Sequence, residues 1–504
     1  MKYIDNFLNK ITMYRLVLYG LSVLVFISIV MRFLGYLFFS PVGILLTLAV
    51  MCISCYLSNR LIAFLLNAQI NVESAWITAL LLTLIVWPIK SLSDVGVYML
   101  IAFVAMASKY FLAINKKHLF NPVAIALVLA GLVGNGSGVW WVGNSMMIFP
   151  VAILGFLILR KTKRFEMFGA FLATAILSII SVSLYEGLPL LDTIYSAILS
   201  GPLIFFATVM LTEPLTTPPY RLTQIIYGLL VGVVYGLDFN IGSIYNTPEL
   251  ALVIGNIFAY FVSPKERLKL KLIEKKNLTS DTYEFTWLPD RKFSFMPGQY
   301  LEWTLGHSTP DTRGNRRYYT ISSSPTEEKI KIGIKTYPDP STFKQKLVSL
   351  SPGDSIFASQ LAGEFTLPSD ESKKMVWIAG GIGVTPFRSM AKYILDKNEN
   401  RDIIFFYSNK TSKDIVYNDI FNLVEKNGVK THYVCNTKTP DDSMLDMKYG
   451  YVDEVMLKAH VPDYKDRIFY ISGPHGMVTS FESTLSKLGI PSSQIKVDFF
   501  PGFA

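Results

Sequence analysis

Apolar residues run in long blocks through the first half of the chain and alternate with polar ones through the second. A helix needs about 20 apolar residues to cross a bilayer core. Blocks of roughly that size fall at 13–33, 41–58, 74–90, 96–114, 121–134, 143–160, 165–184, 194–212, 223–238 and 244–262. They predict ten membrane helices, several short enough to be tilted or broken. From Lys265 onward the period changes. Leu268 to Leu288 alternates as half-buried strands do, Pro297-Gly298-Gln299-Tyr300 reads as a turn into another strand, and Lys329 to Thr336 is a further one. Short strands at close spacing suggest a small antiparallel barrel. From Lys374 strands alternate with helices: Met375–Ala379, Ile403–Tyr407 and Ile468–Ser472 are buried strands, and Phe387–Leu395 is a helix. The fold class expected is therefore multidomain. An all-α polytopic membrane domain spans 1–263, an antiparallel β-barrel 264–370 and an α/β nucleotide-binding domain 371–504.

Composition sharpens this. The chain is 51% hydrophobic with a mean hydropathy of +0.37, and the excess sits in the first half. The net charge of +9 would suit nucleic acid, but its distribution suits a membrane. One set of loops holds Lys116-Lys117, Arg160-Lys161-Thr162-Lys163-Arg164, Arg221 and Lys265-Glu266-Arg267; the other holds Lys90 to Asp94, Tyr185-Glu186-Gly187 and Asp238-Phe239-Asn240. The first set is the more basic, so it is expected in the cytoplasm. An even helix count then places both termini and the C-terminal half there, in a bacterial-type cytoplasmic (inner) membrane crossed many times. Membrane lipid is an expected partner and nucleic acid is not. The first apolar run is expected to remain as a span, since no small-residue cleavage site follows it. Three cysteines make no disulfide framework.

The membrane half repeats itself. Trp87-Pro88 corresponds to Glu213-Pro214, a shift of 214 − 88 = 126, and Asn121-Pro122 to Asn246-Thr247-Pro248, a shift of 246 − 121 = 125. Copies of five spans each must be inverted, and inverted repeats with broken helices place a site at their interface. Asn121 and Asn246 are candidates there, although Asn-Pro also serves simply to start a helix. Phe120-Asn121-Pro122-Val123-Ala124 and Phe206 to Pro218 resemble signature segments of the RnfD/NqrB family, flavin-carrying membrane subunits of ion-translocating electron-transfer complexes. The resemblance covers roughly residues 10–262 and implies two inverted five-helix repeats, with Thr212 and Glu213 as further candidates. Glu213 directly follows an apolar run, where ionisable groups are functional candidates; a solvated helix end is the competing reading. Family members attach FMN through a Thr in a Ser-Gly-Ala-Thr-like motif. The corresponding region here, Trp140 to Pro150, has no such Thr. That argues against a covalent FMN and leaves a non-covalent FMN or riboflavin, or none, open. A bis-His haem stack is excluded because His118 is the one histidine of this half. Cys52 and Cys55 are either small buried residues or half the ligands of a [2Fe–2S] cluster shared across a homodimer.

The second half carries the chemistry. Arg316-Arg317-Tyr318-Tyr319-Thr320 lies on a strand, where residues two apart share a face. An Arg can clamp a pyrophosphate and a Tyr two residues on can cover a flat ring. Ser341 and Thr342 begin a helix, where free amides suit a phosphate and hydroxyls also serve as plain caps. Gly380-Gly381-Ile382-Gly383-Val384-Thr385-Pro386 links a strand to a helix, as in a diphosphate-binding turn. Ser408-Asn409-Lys410 closes the next strand and Gly473-Pro474-His475-Gly476-Met477 a later one. Together with Asp498 and the terminal aromatics, these motifs resemble the ferredoxin–NADP⁺ reductase superfamily over roughly residues 265–504.

The resemblance implies FAD and either NADH or NADPH. By family role Arg317 binds the FAD pyrophosphate, Tyr319 packs on the isoalloxazine beside Tyr318, and Thr320 bonds near its N5. Ile334, Lys335, Ser341 and Thr342 complete that site. Gly381, Gly383, Thr385 and Pro386 face the nicotinamide nucleotide, with Gly473, Pro474 and Met477 opposite; from their place at the strand end alone, Ser408, Asn409 and Lys410 can meet either an adenosine ribose or its phosphate. Thr320, Ser472 and Phe500 are nearest the chemistry, and Phe500 or Phe503 shields the flavin. Many relatives have Cys where Ser472 stands, which implies an altered rate rather than lost chemistry.

The expected function is a membrane flavoprotein oxidoreductase. Electrons pass from NAD(P)H through FAD to the membrane domain, then to a quinone or another redox acceptor, with ion coupling by family analogy. Two alternatives stay open: a redox-regulated ion or solute transporter with a reductase sensor, and a reductase merely anchored by the spans.

Overall fold

Short polar side chains followed by proline start several helices of the N-terminal half. Ser40 caps Pro41–Leu65, accepting from Gly43 N at 3.4 Å. Asn121 caps Pro122–Leu132, accepting from Val123 N at 3.0 Å and Ala124 N at 3.1 Å. Thr247 caps Pro248–Val262, accepting from Leu250 N at 3.2 Å. In each, proline in the first turn gives up no intrahelical bond. The computed structural model describes residues 4, 7–8, 11–66, 72–114, 117–134, 138–242, 244–263, 267–307, 311, 314–438 and 447–498. Two compact units divide between residues 266 and 267.

In the first unit four helices are long and apolar enough to cross a membrane: Met13–Phe33, Pro41–Leu65, Leu92–Phe111 and Phe165–Glu186. A fifth is the pair Leu190–Leu199 and Leu203–Met210, bent by 52°. The bend falls at Gly201-Pro202, and the second piece continues as a π-helical turn, Phe206–Met210. Val72–Ile85, Pro122–Leu132, Arg221–Gly236 and Pro248–Val262 are helices of 14, 11, 16 and 15 residues. They are shorter than a bilayer core requires. Of the ten helices expected, several of them short or broken, four or five are thus long and apolar enough to span, and Pro88, Asn121, Pro202 and the residues before Pro248 interrupt the other apolar runs. Outward residues of the long helices, among them Phe26, Leu57, Phe64 and Leu184, are more than half exposed. Such an apolar surface marks a membrane or partner contact.

The element order of this unit repeats. The hairpin of β1 (Ala113–Ile114) and β2 (Lys117–His118) precedes the helix Pro122–Leu132. The hairpin of β3 (Asn240–Ile241) and β4 (Ile244–Tyr245) precedes the helix Pro248–Val262. The capping residues align Asn121 with Thr247, a shift of 247 − 121 = 126. This corrects the pairing with Asn246. Asn246 instead donates to Val234 O at 2.9 Å and to Leu237 O, tying the hairpin to the preceding helix.

The second unit begins with an antiparallel sheet. Its strands are β5 (Leu268–Asn277), β6 (Thr282–Pro289), β7 (Tyr300–Thr304), β8 (Arg316–Thr320), β9 (Ile330–Lys335) and β10 (Ser355–Ala362), in the order β8-β7-β10-β5-β6-β9. Edge meets edge where Ser322 N donates to Lys331 O at 2.8 Å, curling the sheet around Leu270, Phe285, Trp287, Trp303 and Ile332. A parallel sheet follows: β11 (Met375–Gly380), β12 (Ile403–Asn409), β13 (Val429–Cys435), β14 (Met447–Tyr449), β15 (Ile468–Ser472) and β16 (Ile495–Val497), in the order β14-β13-β12-β11-β15-β16. Its central strands are buried on both faces, as parallel strands covered by helices must be.

Helix Thr385–Lys397 binds the two sheets together. Arg388, 4% exposed, donates to Ser322 O at 3.0 Å and pairs with Glu327, while Ser389 Oγ donates to Ser323 O at 2.6 Å. Removing one member of a buried pair leaves the other charge unmatched. The contact therefore holds the sheets in one relative position and fixes the cleft between them.

Candidate active site

The cleft lies within the second unit, at the C-terminal ends of the parallel strands. Open α/β sheets bind ligands at this edge. It encloses about 1020 Å³. One wall is Tyr318, Tyr319, Thr320, Gly333, Ile334 and Lys335. The other is Gly381, Gly383 and Thr385 from the glycine turn, with Ser408 and Asn409, and Ser472, Gly473, Pro474 and Met477 opposite.

Each piece has a local cause. β8 alternates so that Arg317 and Tyr319 point the same way. Both meet Phe343, at 5.2 Å from the guanidinium carbon and 6.0 Å between ring centres. Tyr318 points the other way; its hydroxyl donates to Gln360 Oε1 at 2.9 Å and its ring abuts Tyr300. Gly381 has φ +53°, a left-handed value that favours glycine. At Gly383 a Cβ would lie 2.5 Å from Ser472 O and 2.6 Å from Gly473 N. The two turns therefore approach backbone to backbone. Pro386 is buried in the first turn of its helix and takes no part in the lining.

Three polar side chains converge at the floor. Thr320 Oγ1 donates to Asp498 Oδ2 at 3.3 Å, and Ser472 Oγ donates to the same oxygen at 3.1 Å. Asp498 Oδ1 is buried and has no hydrogen-bond partner among the described residues. Burial pushes the Asp498 carboxyl up to about 7, although the Ser472 and Thr320 hydroxyls pull the other way. A group poised near neutrality in a cleft has the signature of a functional acid. Phe500 and Phe503 lie outside the described residues.

Arg317, Ser341 and Thr342 sit beside this cleft. Arg317 Nη2 is 3.1 Å from Asp311 Oδ1 and 3.4 Å from Oδ2. Thr342 N, at the start of the helix Thr342–Val348, donates to Asp311 Oδ2 at 3.3 Å. Ser341 caps that helix, accepting from Lys344 N at 3.3 Å. An anion is thus already held between a guanidinium and a helix N-terminus, as a phosphate would be. This carboxylate is the test of fit for the FAD pyrophosphate, and the residues present meet it. No sequence pattern pointed to Asp311, because the seat closes across 31 residues. Asp311→Asn keeps the shape and removes the competing charge. It is expected to tighten FAD binding about threefold to tenfold, one charge-assisted contact's share, read by flavin-fluorescence titration of the deflavinated protein.

In the first unit the candidates Asn121 and Glu213 come together. Asn121 Nδ2 donates to Glu213 Oε2 at 2.7 Å, and Thr216 Oγ1 to the same oxygen at 3.1 Å. Asn121 N donates to Asn256 Oδ1 at 2.8 Å, and Asn256 was not foreseen. Thr212 O accepts from Arg164 Nη1 at 2.7 Å, while the Thr212 hydroxyl donates back to Thr208 O at 2.6 Å. Glu213 is thus held by side chains, contrary to the solvated-end reading. Asn246 is not part of the cluster. Cys55 is buried and Cys52 partly so; among the described residues no three His, Cys, Asp or Glu side chains group as metal ligands.

Residues 377–483 match the family described as the oxidoreductase NAD-binding domain. The chain is 28% identical over 229 residues to the glycine betaine monooxygenase reductase subunit of Chromohalobacter salexigens, covering 44% of this chain and 61% of that protein. It is 30% identical over 222 residues to the flavohemoprotein of Rhodopirellula baltica, covering 41% and 53%. The chain thus spans less than two thirds of either relative. The solved flavohem-like FAD/NAD-binding domain of the nitric oxide dioxygenase from Vibrio cholerae aligns with 46% of this chain and 98% of its own, at 20% identity and a TM-score of 0.40. Residues 377–483 of the second unit thus carry an oxidoreductase NAD-binding domain, and the similarity to the two relatives is confined to part of each protein.

Proposed function

We propose that this chain takes electrons from NAD(P)H in the cytoplasm and passes them, through FAD in the second unit, into its own membrane unit. From there they go to a quinone or a redox partner on the far side. The observation that carries the reading is the Thr320–Asp498–Ser472 convergence, which joins the strand of Arg317 and Tyr319 to the strand ending at Gly473. Arg317, Ser341 and Thr342 would hold the pyrophosphate, and Tyr319 and Thr320 the ring. The glycine turns let the coenzyme backbone approach closely. FAD bound there accepts two electrons together and can release them singly. Ser472 orients the nicotinamide, and Asp498 sets the charge beneath it.

The membrane assignment rests on the four or five apolar helices and their exposed apolar faces. The repeated order of helices and hairpins supports two inverted repeats. The Asn121–Glu213–Asn256 cluster, which joins the start of the helix Pro122–Leu132 to the middle of Pro248–Val262 and to the residue before Pro214, is where a non-covalent FMN or riboflavin, or an ion, would engage. The same cluster supports a second reading, a transporter regulated by the reductase. Analysis of the purified protein separates the two. The electron route predicts a second flavin or a bound quinone besides FAD. FAD as the single chromophore, with solute flux that persists without NAD(P)H, would overturn it.

A further inference from the structure

We propose that the cleft selects NADH over NADPH, its far end receiving an unphosphorylated adenosine ribose on Ser408, Asn409 and Asn436 and repelling a 2′-phosphate through Asp414. The inference rests on the reading of the cleft as an NAD(P)H site. In an open α/β sheet the coenzyme's second ribose meets the end of the strand after the glycine turn. Here that strand is β12, and its end brings Ser408 and Asn409 into the lining, with Asn436 beside them after β13. These side chains are neutral. Asn409 is 5% exposed; its amide lies against the Tyr407 hydroxyl, and neither amide atom makes a hydrogen bond of full geometry among the described residues. An unmatched buried amide is costly unless a ligand completes it. One donor and one acceptor together suit a pair of ribose hydroxyls.

A 2′-phosphate needs cations whose charge is not already spent. Lys335 lines this end, but its Nζ lies 3.1 Å from Asp414 Oδ1 and 3.2 Å from Asp281 Oδ2. Burial disfavours its charge, yet the bonds to Asp414 and Asp281 hold it above the usual lysine value. Lys344 Nζ donates to Lys335 O at 2.7 Å and lies over the Tyr337 ring. The turn after β12 would offer an amide to an anion, but Asp414 occupies it. Asp414 Oδ2 accepts from Thr411 N at 3.1 Å and from Thr411 Oγ1 at 2.8 Å. Asp453 and Glu454 also line the cleft, and Asp453 caps its own helix by accepting from Met456 N at 2.8 Å. Lys410 is exposed at the end of β12, and Lys487 lies on the last turn of the helix His475–Lys487. Against them stand Asp453, Asp414, which shares its charge with Lys335, and Glu454, which pairs with Lys458 Nζ at 2.7 Å.

Steady-state reduction of a dye acceptor by the full chain in detergent, with each coenzyme, tests this. The wild type is expected to use NADH with a kcat/KM about 100-fold above that for NADPH, in keeping with like charges set side by side. Asp414→Asn keeps the turn's hydrogen-bond acceptor and removes its charge. It is expected to raise the NADPH/NADH ratio about tenfold, through the KM for NADPH. Equal use of both coenzymes by the wild type would overturn the proposal. So would a variant in which both constants fall by one factor, since Asp414 would then serve only the turn. Reduction by neither coenzyme would instead sink the reading of the cleft itself.

Discussion

Gly383→Ala is expected to lower the second-order rate of flavin reduction by NAD(P)H about 100-fold, the scale of a misplacement near 1 Å at a reacting centre. Flavin content should not change. The physical reason is the approach of two turns. β11 and β15 are parallel neighbours in register, with Ala379 opposite Ser472, so the residues that follow them are thrown together at the same edge. A Cβ on Gly383 would meet Ser472 O at 2.5 Å and Gly473 N and Cα at 2.6 Å. All three are backbone atoms, and none can swing aside as a side-chain tip could. The turns must part, and Ser472 moves with them, away from Asp498. Arg317, on β8, and Ser341 and Thr342, at the start of the helix Thr342–Val348, lie outside these turns and keep the flavin seat. Gly381 makes the contrast: a Cβ there would meet nothing within 4 Å, and its φ of +53° leaves only a backbone penalty of about 1–2 kcal/mol. Stopped-flow bleaching near the flavin maximum, beside the ratio of flavin to protein absorbance, checks the expectation. An unchanged rate in Gly383→Ala would mean that the glycine turn does not shape the coenzyme seat.

What could be read from the sequence divides along contact range. β11, β12 and β15 were legible almost to the residue, because each is an unbroken apolar run stopped by glycine or polar turn residues. The Arg317–Tyr319 face was legible because a strand's period is fixed by its own backbone. The convergence of Thr320 and Asp498 spans 178 residues and has no local cause. Neither does the Asp311 seat, nor the pair Lys335–Asp414, set 79 residues apart. In the first unit hydropathy located helices at every expected block; it matched or understated the long ones, Met13–Phe33, Pro41–Leu65 and Phe165–Glu186, and overstated several short ones such as Val72–Ile85, Pro122–Leu132 and Pro248–Val262. Mean hydropathy does not register a Gly201-Pro202 bend or a π-helical turn. Pairing Asn121 with Asn246 failed by one residue for a related reason. Residue type suggested Asn with Asn, whereas the capping role belongs to Thr247.

The rate of flavin reduction is expected to rise about 30-fold between its low-pH and high-pH limits, and about eightfold between pH 6 and 8, with a midpoint near 7. Asp498→Asn should hold it at the low-pH level throughout. The Asp498 carboxyl is pushed up to about 7 by burial, so it is neutral below that pH and charged above it. The nicotinamide of NAD(P)H is uncharged, and on giving up its hydride it becomes a cation. A carboxylate reaching it through Ser472, 3.1 Å away, favours that developing charge. Unit charges a few Å apart in a partly buried site interact by about 4 kcal/mol, and half a charge in the transition state leaves about 2, or about 30-fold. The same group should act oppositely on stability. Its carboxyl lies above the ordinary aspartate value of 3.8, so its contribution is complete below about pH 4 and is lost as pH rises through about 7. Asp498→Asn, which cannot ionise, should therefore gain in thermal midpoint over the wild type across that window while losing the rate increase above it. A pH profile that keeps its inflection in Asp498→Asn would assign the titration to another group. A midpoint difference that stays constant with pH would show that Asp498 is ordinary in its acidity, and that the convergence with Thr320 and Ser472 only shapes the floor of the cleft.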